Sequence, residues 1–285
     1  MEVSRSIVTM STAGLAVLLA GTALAIPRAK GARGLERMIP LGRVFVAAPL
    51  ATFGGLHLAA AGGLSQMVPA WVPWHLFWAY FVGLALLVTA LSLIWDRFVR
   101  WSSLLCAAML LIFVATIHVP GVMAAPNDRF TWIVAVRDSS FAAGLLALAG
   151  SIEPGPTGWK RLTGAGRIGF AAGAIFFAVE HILHPEHVPG VPLERMTPAW
   201  ALAPRLWGYA IGAVLLASGV LLLLNRWARK AAVVLGVAVT MAVIVIYAPM
   251  PIPAHGTTEV VDAINYIADT LLYAGMALLV AEASK

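Results

Sequence analysis

Nine long apolar runs constrain the fold of this chain more than any other feature. Hydrophobic residues make up 61% of the 285 positions and charged residues only 11%. A helix of about 20 apolar residues crosses a hydrocarbon core of roughly 30 Å. The runs lie near residues 7–26, 41–61, 73–95, 101–119, 131–150, 165–184, 200–224, 229–249 and 263–281. Strand-like alternation is absent, so the sequence predicts an all-α polytopic membrane helical bundle of about nine transmembrane helices.

The same pattern of residues occurs twice along the chain. Arg43 precedes His57 by fourteen residues, and Arg167 precedes His181 by fourteen. Further matches pair Pro69-Ala70-Trp71 with Pro198-Ala199-Trp200, Asp96-Arg97 with Asn225-Arg226, His118 with Tyr247, and Asp138 with Asp269. The offset grows from 124 to 129 to 131, which indicates insertions of five and two residues. We therefore predict an anchor helix with a basic loop (1–40), a first four-helix repeat (41–150), a linker (151–164) and a second four-helix repeat (165–285).

Basic residues predict the orientation of the chain in a membrane. They collect in alternate loops as Arg28, Lys30, Arg33, Arg37, Arg97, Arg100, Lys160, Arg161, Arg226, Arg229 and Lys230, whereas the opposite loops hold Arg129, Arg195 and Arg205. The positive-inside rule then predicts a bacterial-type cytoplasmic (inner) membrane protein with its N-terminus outside and its C-terminus cytoplasmic. Four spans per repeat make the repeats parallel, related by an axis along the membrane normal. The net charge of +6 follows from these loops, so we expect the lipid bilayer as a partner and no nucleic acid.

Two further features bear on processing and redox chemistry. Residues 23–25 (Ala-Leu-Ala) match the small-residue pattern of a signal-peptide cleavage site. The basic loop that follows favours an uncleaved anchor, because cleavage would place that loop outside. Cys106 is the one cysteine of the chain, which excludes an intrachain disulfide, a cysteine redox pair and a thiolate metal cluster.

Ionisable residues within the spans identify candidate sites near the outer face. A helix rises about 1.5 Å per residue, so His57 lies about 21 Å above Arg43, and His181 lies the same distance above Arg167. The third and fourth spans bring further polar residues to the same level. We predict one outward-facing pocket with His57, His118, Arg137 and Asp138, and a second with Glu180, His181, Tyr247 and Asp269. Such residues usually face a bundle interior or a wet cavity and mark function. Structural pairing between helices is the alternative interpretation, since polar contacts also hold membrane helices together.

The second repeat carries a histidine-rich segment that the first lacks. Glu180 and His184 are four residues apart on one helical face, a spacing that metal ligands can use. Pro185 then ends the helix. Glu180, His181, His184 and His187 form the predicted metal-binding set. Three interpretations stay open: metal or haem ligation, organic-ligand or proton chemistry, and a structural cap for the loop.

Several of these motifs resemble the DoxX-like membrane proteins. The resemblance rests on Leu41-Gly42-Arg43 at the start of a span that ends in Gly54-Gly55-Leu56-His57, and on the proline and tryptophan before the next span. Residues 180–193 are similar to the histidine-bearing loop of some members. The four-helix unit is the whole domain in that family, and some members are linked to quinone-coupled thiosulfate oxidation or to redox-stress complexes.

The resemblance implies a membrane subunit of a quinone-linked redox system. Quinone is the cofactor that it suggests, ahead of metal or haem. With no cysteine pair, electron transfer needs a bound cofactor or a redox partner subunit. The alternative is a non-enzymatic carrier or binding protein for a small solute, lipid or metal ion. The sequence leaves open whether the chain is an enzyme and what its oligomeric state is.

Overall fold

A computed structural model describes residues 2–153, 157–191 and 194–284 as a helical bundle. Its long helices are α1 (Glu2–Lys30), α2 (Gly42–Ala59), α3 (His75–Trp95), α4 (Val99–Phe113), α5 (Arg129–Ser151), α6 (Thr157–Leu183), α7 (Pro204–Leu223), α8 (Ala228–Ala242) and α9 (Thr257–Ala283). A 3-10 segment, Gly34–Leu41, leads into α2, and π-helical turns, Val114–His118 and Val243–Tyr247, extend α4 and α8. The described residues contain no strand, so the predicted all-α fold class is confirmed. Residues 154–156 of the predicted linker, and Pro192 and Leu193 of the histidine-bearing loop, lie outside the described residues.

Nine helices within the described ranges are long and apolar enough to cross a membrane. Each such segment has 20 to 27 residues. Many large apolar side chains point away from the bundle, among them Leu84, Leu105 and Ile244. An exposed apolar surface of this extent fits contact with lipid rather than water. The chain is therefore an integral membrane protein.

The helices α2 to α9 form a closed ring. Each packs on the next in chain order, and α9 packs back on α2. Helix α5 also packs on α9 across the middle of the ring, while α1 lies against α2, α3 and α9. Glycines permit the close approaches: a Cβ on Gly166 would lie 2.4 Å from the carbonyl oxygen of Ala143, between α5 and α6. Small residues at helix crossings are typical of membrane bundles.

Contacts between side chains define two ends of the bundle. At the end that we call the basic end, Arg43 bonds Glu282 at 2.5 Å and also bonds Asp96. Arg229 bonds Glu36 there at 3.2 Å. The connections α1–α2, α3–α4, α5–α6 and α7–α8 lie at this end. The connections α2–α3, α4–α5, α6–α7 and α8–α9 lie at the opposite end, which we call the histidine end.

Unusual local conformations recur at a constant interval in the two halves. Among the described residues, the non-glycine positions with positive φ are Trp74, Asp96 and Phe98 in the first half, and Ala203, Asn225 and Trp227 in the second. The two π-helical turns are separated by the same 129 residues. Arg100 donates to the carbonyl of Ile152, and Arg229 donates to the carbonyl of Ala281, each 52 residues further along. The recurrence agrees with a duplicated four-helix unit, which stays a prediction together with its symmetry axis.

The close packing of α9 on α2 gives a first testable prediction. A Cβ on Gly275 would lie 2.7 Å from the carbonyl carbon of Phe45 and 2.8 Å from Val46. Because backbone must shift to admit it, we expect Gly275→Ala to reduce the free energy of unfolding by about 1–3 kcal/mol. The measurement is the midpoint of thermal unfolding in detergent.

Gly121→Ala is the matched control for that substitution. Gly121 is also helical, but a Cβ added to it would have no atom within 4 Å. Alanine favours a helix more than glycine does, so its unfolding midpoint should stay equal or rise slightly. Equal midpoints for both variants would contradict the tight α2–α9 packing.

Candidate functional site

A loop of the second half enters the bundle at the histidine end. We call residues 188–191 the plug, because Val188 and Val191 are fully buried and Pro189 and Gly190 are buried between them. The amide of Gly190 donates to Nε2 of His181 at 2.9 Å. The hydroxyl of Tyr247 donates to the carbonyl of Pro189 at 3.0 Å. The plug thus binds His181 and Tyr247, two of the four side chains that the sequence placed in the second pocket.

The hydrogen bonds of His181 determine its tautomer. Nδ1 lies 2.6 Å from the carbonyl of Phe177, which can only accept, so Nδ1 carries a proton. Nε2 accepts from the Gly190 amide and therefore carries none. A neutral imidazole offers one donor and one acceptor. Both are used, and His181 has no free lone pair for a metal ion.

The corresponding side chains of the first half are less covered. Nδ1 of His57 donates to the carbonyl of Phe53, four residues earlier, at 2.9 Å. This bond matches the one from His181 to Phe177. His181 and Tyr247 are fully buried. Their counterparts in the first half, His57 and His118 respectively, are partly exposed. The five extra residues fall in the α6–α7 connection, and the α2–α3 connection lacks them. The first half therefore leaves accessible the groups that the second half covers with its own backbone.

Four ionisable side chains form a continuous network from α4 to α9. Nε2 of His118 donates to Asp138 at 2.9 Å. Arg137 donates from Nε to the other Asp138 oxygen at 3.1 Å, and from Nη1 to Asp269 at 2.8 Å. These side chains are 13% to 18% exposed. Each charge in this apolar region has a partner of opposite sign, as burial in a membrane bundle requires.

The sequence spacing predicted two pockets of four residues each, and the structure groups these residues differently. His118 and Asp138 lie together, but His57 makes its hydrogen bond to the backbone. Asp269 bonds Arg137 of the first half instead of joining His181 and Tyr247. Glu180 pairs with Arg129 at 2.6 Å, between α6 and the start of α5. Arg137, which has no counterpart in the second half, links the two halves.

Glu194 lies beside this network and was missed in the sequence analysis. It belongs to the α6–α7 connection and accepts a hydrogen bond from Tyr266. Burial raises the pKa of Glu194 to about 7, although the nearby Arg137 cation acts in the opposite direction. No local pattern signals this placement, because an acidic residue in a polar loop is normally solvated. A tertiary contact of the loop with α9 puts it there.

The metal set predicted from the sequence is only partly assembled. His184 and His187 lie close together with Glu186, and one potential ligand atom from each lies within 4.8 Å of the others. Glu180 and His181 lie outside this group because they bond Arg129 and the plug. Glu186 was not among the predicted ligands. Burial lowers the pKa of His187, and the Arg129 cation acts in the same direction.

Comparisons with family models, curated proteins and solved structures found no match for this chain. Membership of the DoxX-like family stays a prediction from its short sequence motifs.

The tight packing around Gly190 in the plug gives a second testable prediction. Gly190 has φ +146°, and a Cβ there would lie 3.0 Å from both the Tyr247 hydroxyl and a methyl group of Thr270. We expect Gly190→Ala to displace the plug and to speed amide hydrogen exchange across 188–191 roughly tenfold, since backbone strain of this kind costs about 1–3 kcal/mol. Hydrogen exchange read by mass spectrometry measures it.

Gly256→Ala controls for backbone strain alone. Gly256 also has positive φ, +90°, but no atom lies within 4 Å of a Cβ there. Its substitution should leave exchange in the plug unchanged. Unchanged exchange in Gly190→Ala as well would mean that the plug is not held by His181 and Tyr247.

The raised pKa of Glu194 yields a third prediction, on stability. Its pKa in the folded protein, about 7, lies above its ordinary value of 4.5. The neutral form is thus favoured on folding, and this contribution is fully present below pH 4.5 and is lost as the pH rises through 7. Between those values wild-type stability should fall, relative to Glu194→Gln, by on the order of 2 kcal/mol. Thermal unfolding midpoints of both proteins across that range test it, and parallel pH profiles would refute the assignment.

Proposed function

We propose that this chain is a DoxX-like inner-membrane protein that binds a quinone, or a similar amphipathic molecule, in its first half. His57 and His118 are the proposed ligand contacts. One observation supports this most: the second half covers its equivalent side chains, His181 and Tyr247, with its own loop, and the first half does not.

The plug indicates which chemical groups suit such a pocket. In the second half a backbone N–H is bonded to the histidine and a backbone carbonyl to the tyrosine hydroxyl. A quinol hydroxyl offers the same donor as this N–H on a flat apolar ring, and the carbonyl of the oxidised quinone offers the same acceptor as the backbone carbonyl. His57, whose Nδ1 donates to Phe53, keeps Nε2 as an acceptor for a ligand hydroxyl.

The His118–Asp138 pair suits proton transfer at this position. Asp138 accepts the Nε2 hydrogen of His118 and so orients the ring, which leaves Nδ1 for a further partner. An imidazole commonly acts as a general base. Oxidation of a quinol to a quinone releases two protons and two electrons. In this proposal Nδ1 of His118 takes up one proton and Nε2 of His57 takes up the other. A redox partner subunit takes both electrons, because the chain has a single, buried cysteine.

The proposed orientation places the histidine end outside. The basic end carries Arg28, Arg43 and Arg229 with their acidic partners, and positively charged loops of membrane proteins stay in the cytoplasm. The N-terminus then lies outside and the C-terminus inside. Protons released at the pocket would leave on the outer side.

The fourth prediction tests the pocket directly. Protein purified in detergent is titrated under anaerobic conditions with a short-chain benzoquinol, whose hydroxyl groups can donate to the free nitrogens of His57 and His118, and binding is followed by quenching of tryptophan fluorescence. We expect His118→Ala and His57→Ala each to weaken binding at least tenfold, about 1.4 kcal/mol. His181→Ala should leave the affinity nearly unchanged, because its ring already bonds the plug.

His75→Ala is the matched control, since His75 is a partly exposed histidine that begins α3 at the same end. Each variant must elute from size exclusion as wild type does. Equal affinity of wild type and both first-half variants would refute the site. Quinol binding without quinol oxidation in membranes that contain the protein would favour the carrier over the redox subunit.

A further inference from the structure

We propose that His184, Glu186 and His187 form a binding site for a divalent transition metal at the histidine end, distinct from the quinone pocket. These residues lie in the α6–α7 connection, just before the plug. One nitrogen or oxygen atom from each lies within 4.8 Å of the others. Two imidazoles and a carboxylate are a ligand set that proteins use for Zn²⁺, with ligand distances of about 2.0–2.2 Å.

The local backbone holds the three ligands on one turn. The amide of His184 donates to the carbonyl of Glu180 at 2.8 Å, which ends helix α6, and the amide of His187 donates back to the carbonyl of His184 at 3.2 Å. On the other side, the amide of Thr197 donates to the carbonyl of Glu186 at 2.9 Å. The segment is thus fixed at both ends, which keeps the three potential ligand atoms within 4.8 Å of one another.

One of the three side chains has a buried nitrogen with no hydrogen-bond partner in the described part of the chain. Nδ1 of His187 is shielded from solvent and makes no hydrogen bond to any residue that the structure describes. The carboxylate of Glu186 approaches it only to 3.6 Å. The two imidazole rings are 5.8 Å apart between centroids and inclined by 85°. A buried ring nitrogen without a partner is costly, and a metal ion between these groups would satisfy it.

The surrounding charges permit a cation here. Arg129 is the nearby positive group, but its charge is balanced by Glu180 at 2.6 Å. Glu186 adds a carboxylate beside the two imidazoles, only 3.6 Å from Nδ1 of His187. Imidazole and carboxylate together favour Zn²⁺ or Cu²⁺ over the oxygen-preferring Mg²⁺ and Ca²⁺.

The position of the site gives it a consequence for the second half. His187 directly precedes Val188, the first residue of the plug. A metal ion on His184, Glu186 and His187 would fix the start of the plug while His181 and Tyr247 hold its middle. We therefore expect the bound metal to slow hydrogen exchange in residues 188–191.

The fifth prediction concerns Zn²⁺ alone as the probe. Protein purified without a histidine tag is treated with a chelator, dialysed and titrated with Zn²⁺ by calorimetry, and Co²⁺ is used in parallel for its absorbance spectrum. We expect one ion per chain and a rise in the unfolding midpoint. A His184→Ala/His187→Ala double variant should lose at least about a hundredfold in affinity, and Glu186→Gln at least about tenfold, since even outer-sphere groups contribute about 10–100-fold.

A His75→Ala/His255→Ala double variant is the matched control, because it removes two histidines from the same end. It should bind Zn²⁺ as wild type does. Equal Zn²⁺ affinity in wild type and the His184/His187 variant would overturn the site, as would an equal loss in the control. If the double variant does not fold, Glu186→Gln, which keeps both histidines, still decides the question through its affinity and its plug exchange rate.

Discussion

The arrangement of the two halves depends on one buried cation. Arg137 lies within a membrane span, where an unpaired guanidinium would be costly by several kcal/mol, and its two carboxylate partners come from different halves. Asp138 is its neighbour on α5, while Asp269 lies on α9. The pair Arg137–Asp269 therefore forms only when α5 and α9 meet across the middle of the ring. Helix α9 in turn contacts α2 and α8, so the position of this one charge is tied to the closure of the whole ring.

The two halves share local structure but differ in which side chains they leave accessible. In each half, Nδ1 of a histidine donates to the backbone carbonyl four residues earlier. In each half, the second helix after that histidine ends in a π-helical turn. In the second half a buried loop satisfies the histidine and the tyrosine and makes that region part of the protein core. In the first half a histidine takes the place of the tyrosine and bonds an aspartate. The tyrosine that bonds the plug in the second half thus corresponds to a histidine–aspartate pair in the first half. This difference underlies the proposal that the quinone binds in the first half.

Sequence reasoning recovered the features that local patterns determine. Helix number and class follow from apolar run length, and the proximity of His118, Arg137 and Asp138 follows from their equal depth. What it could not recover depends on contacts between residues far apart in the chain. The plug is a loop of ordinary composition, and its burial is decided by a fit to α6 and α8. Glu180 looked like a metal ligand from its spacing, yet its partner Arg129 lies 51 residues away. Such a pairing leaves no periodic trace in the sequence.

The ring also imposes an order on synthesis. Helices α1 to α8 emerge before α9, yet α9 lies against α1, α2 and α5 as well as α8. Arg137 is made 132 residues before Asp269, a delay of roughly ten seconds at usual translation rates. During that time the cation has only the carboxylate beside it. The charge network is therefore completed only when the last helix is inserted and the ring closes.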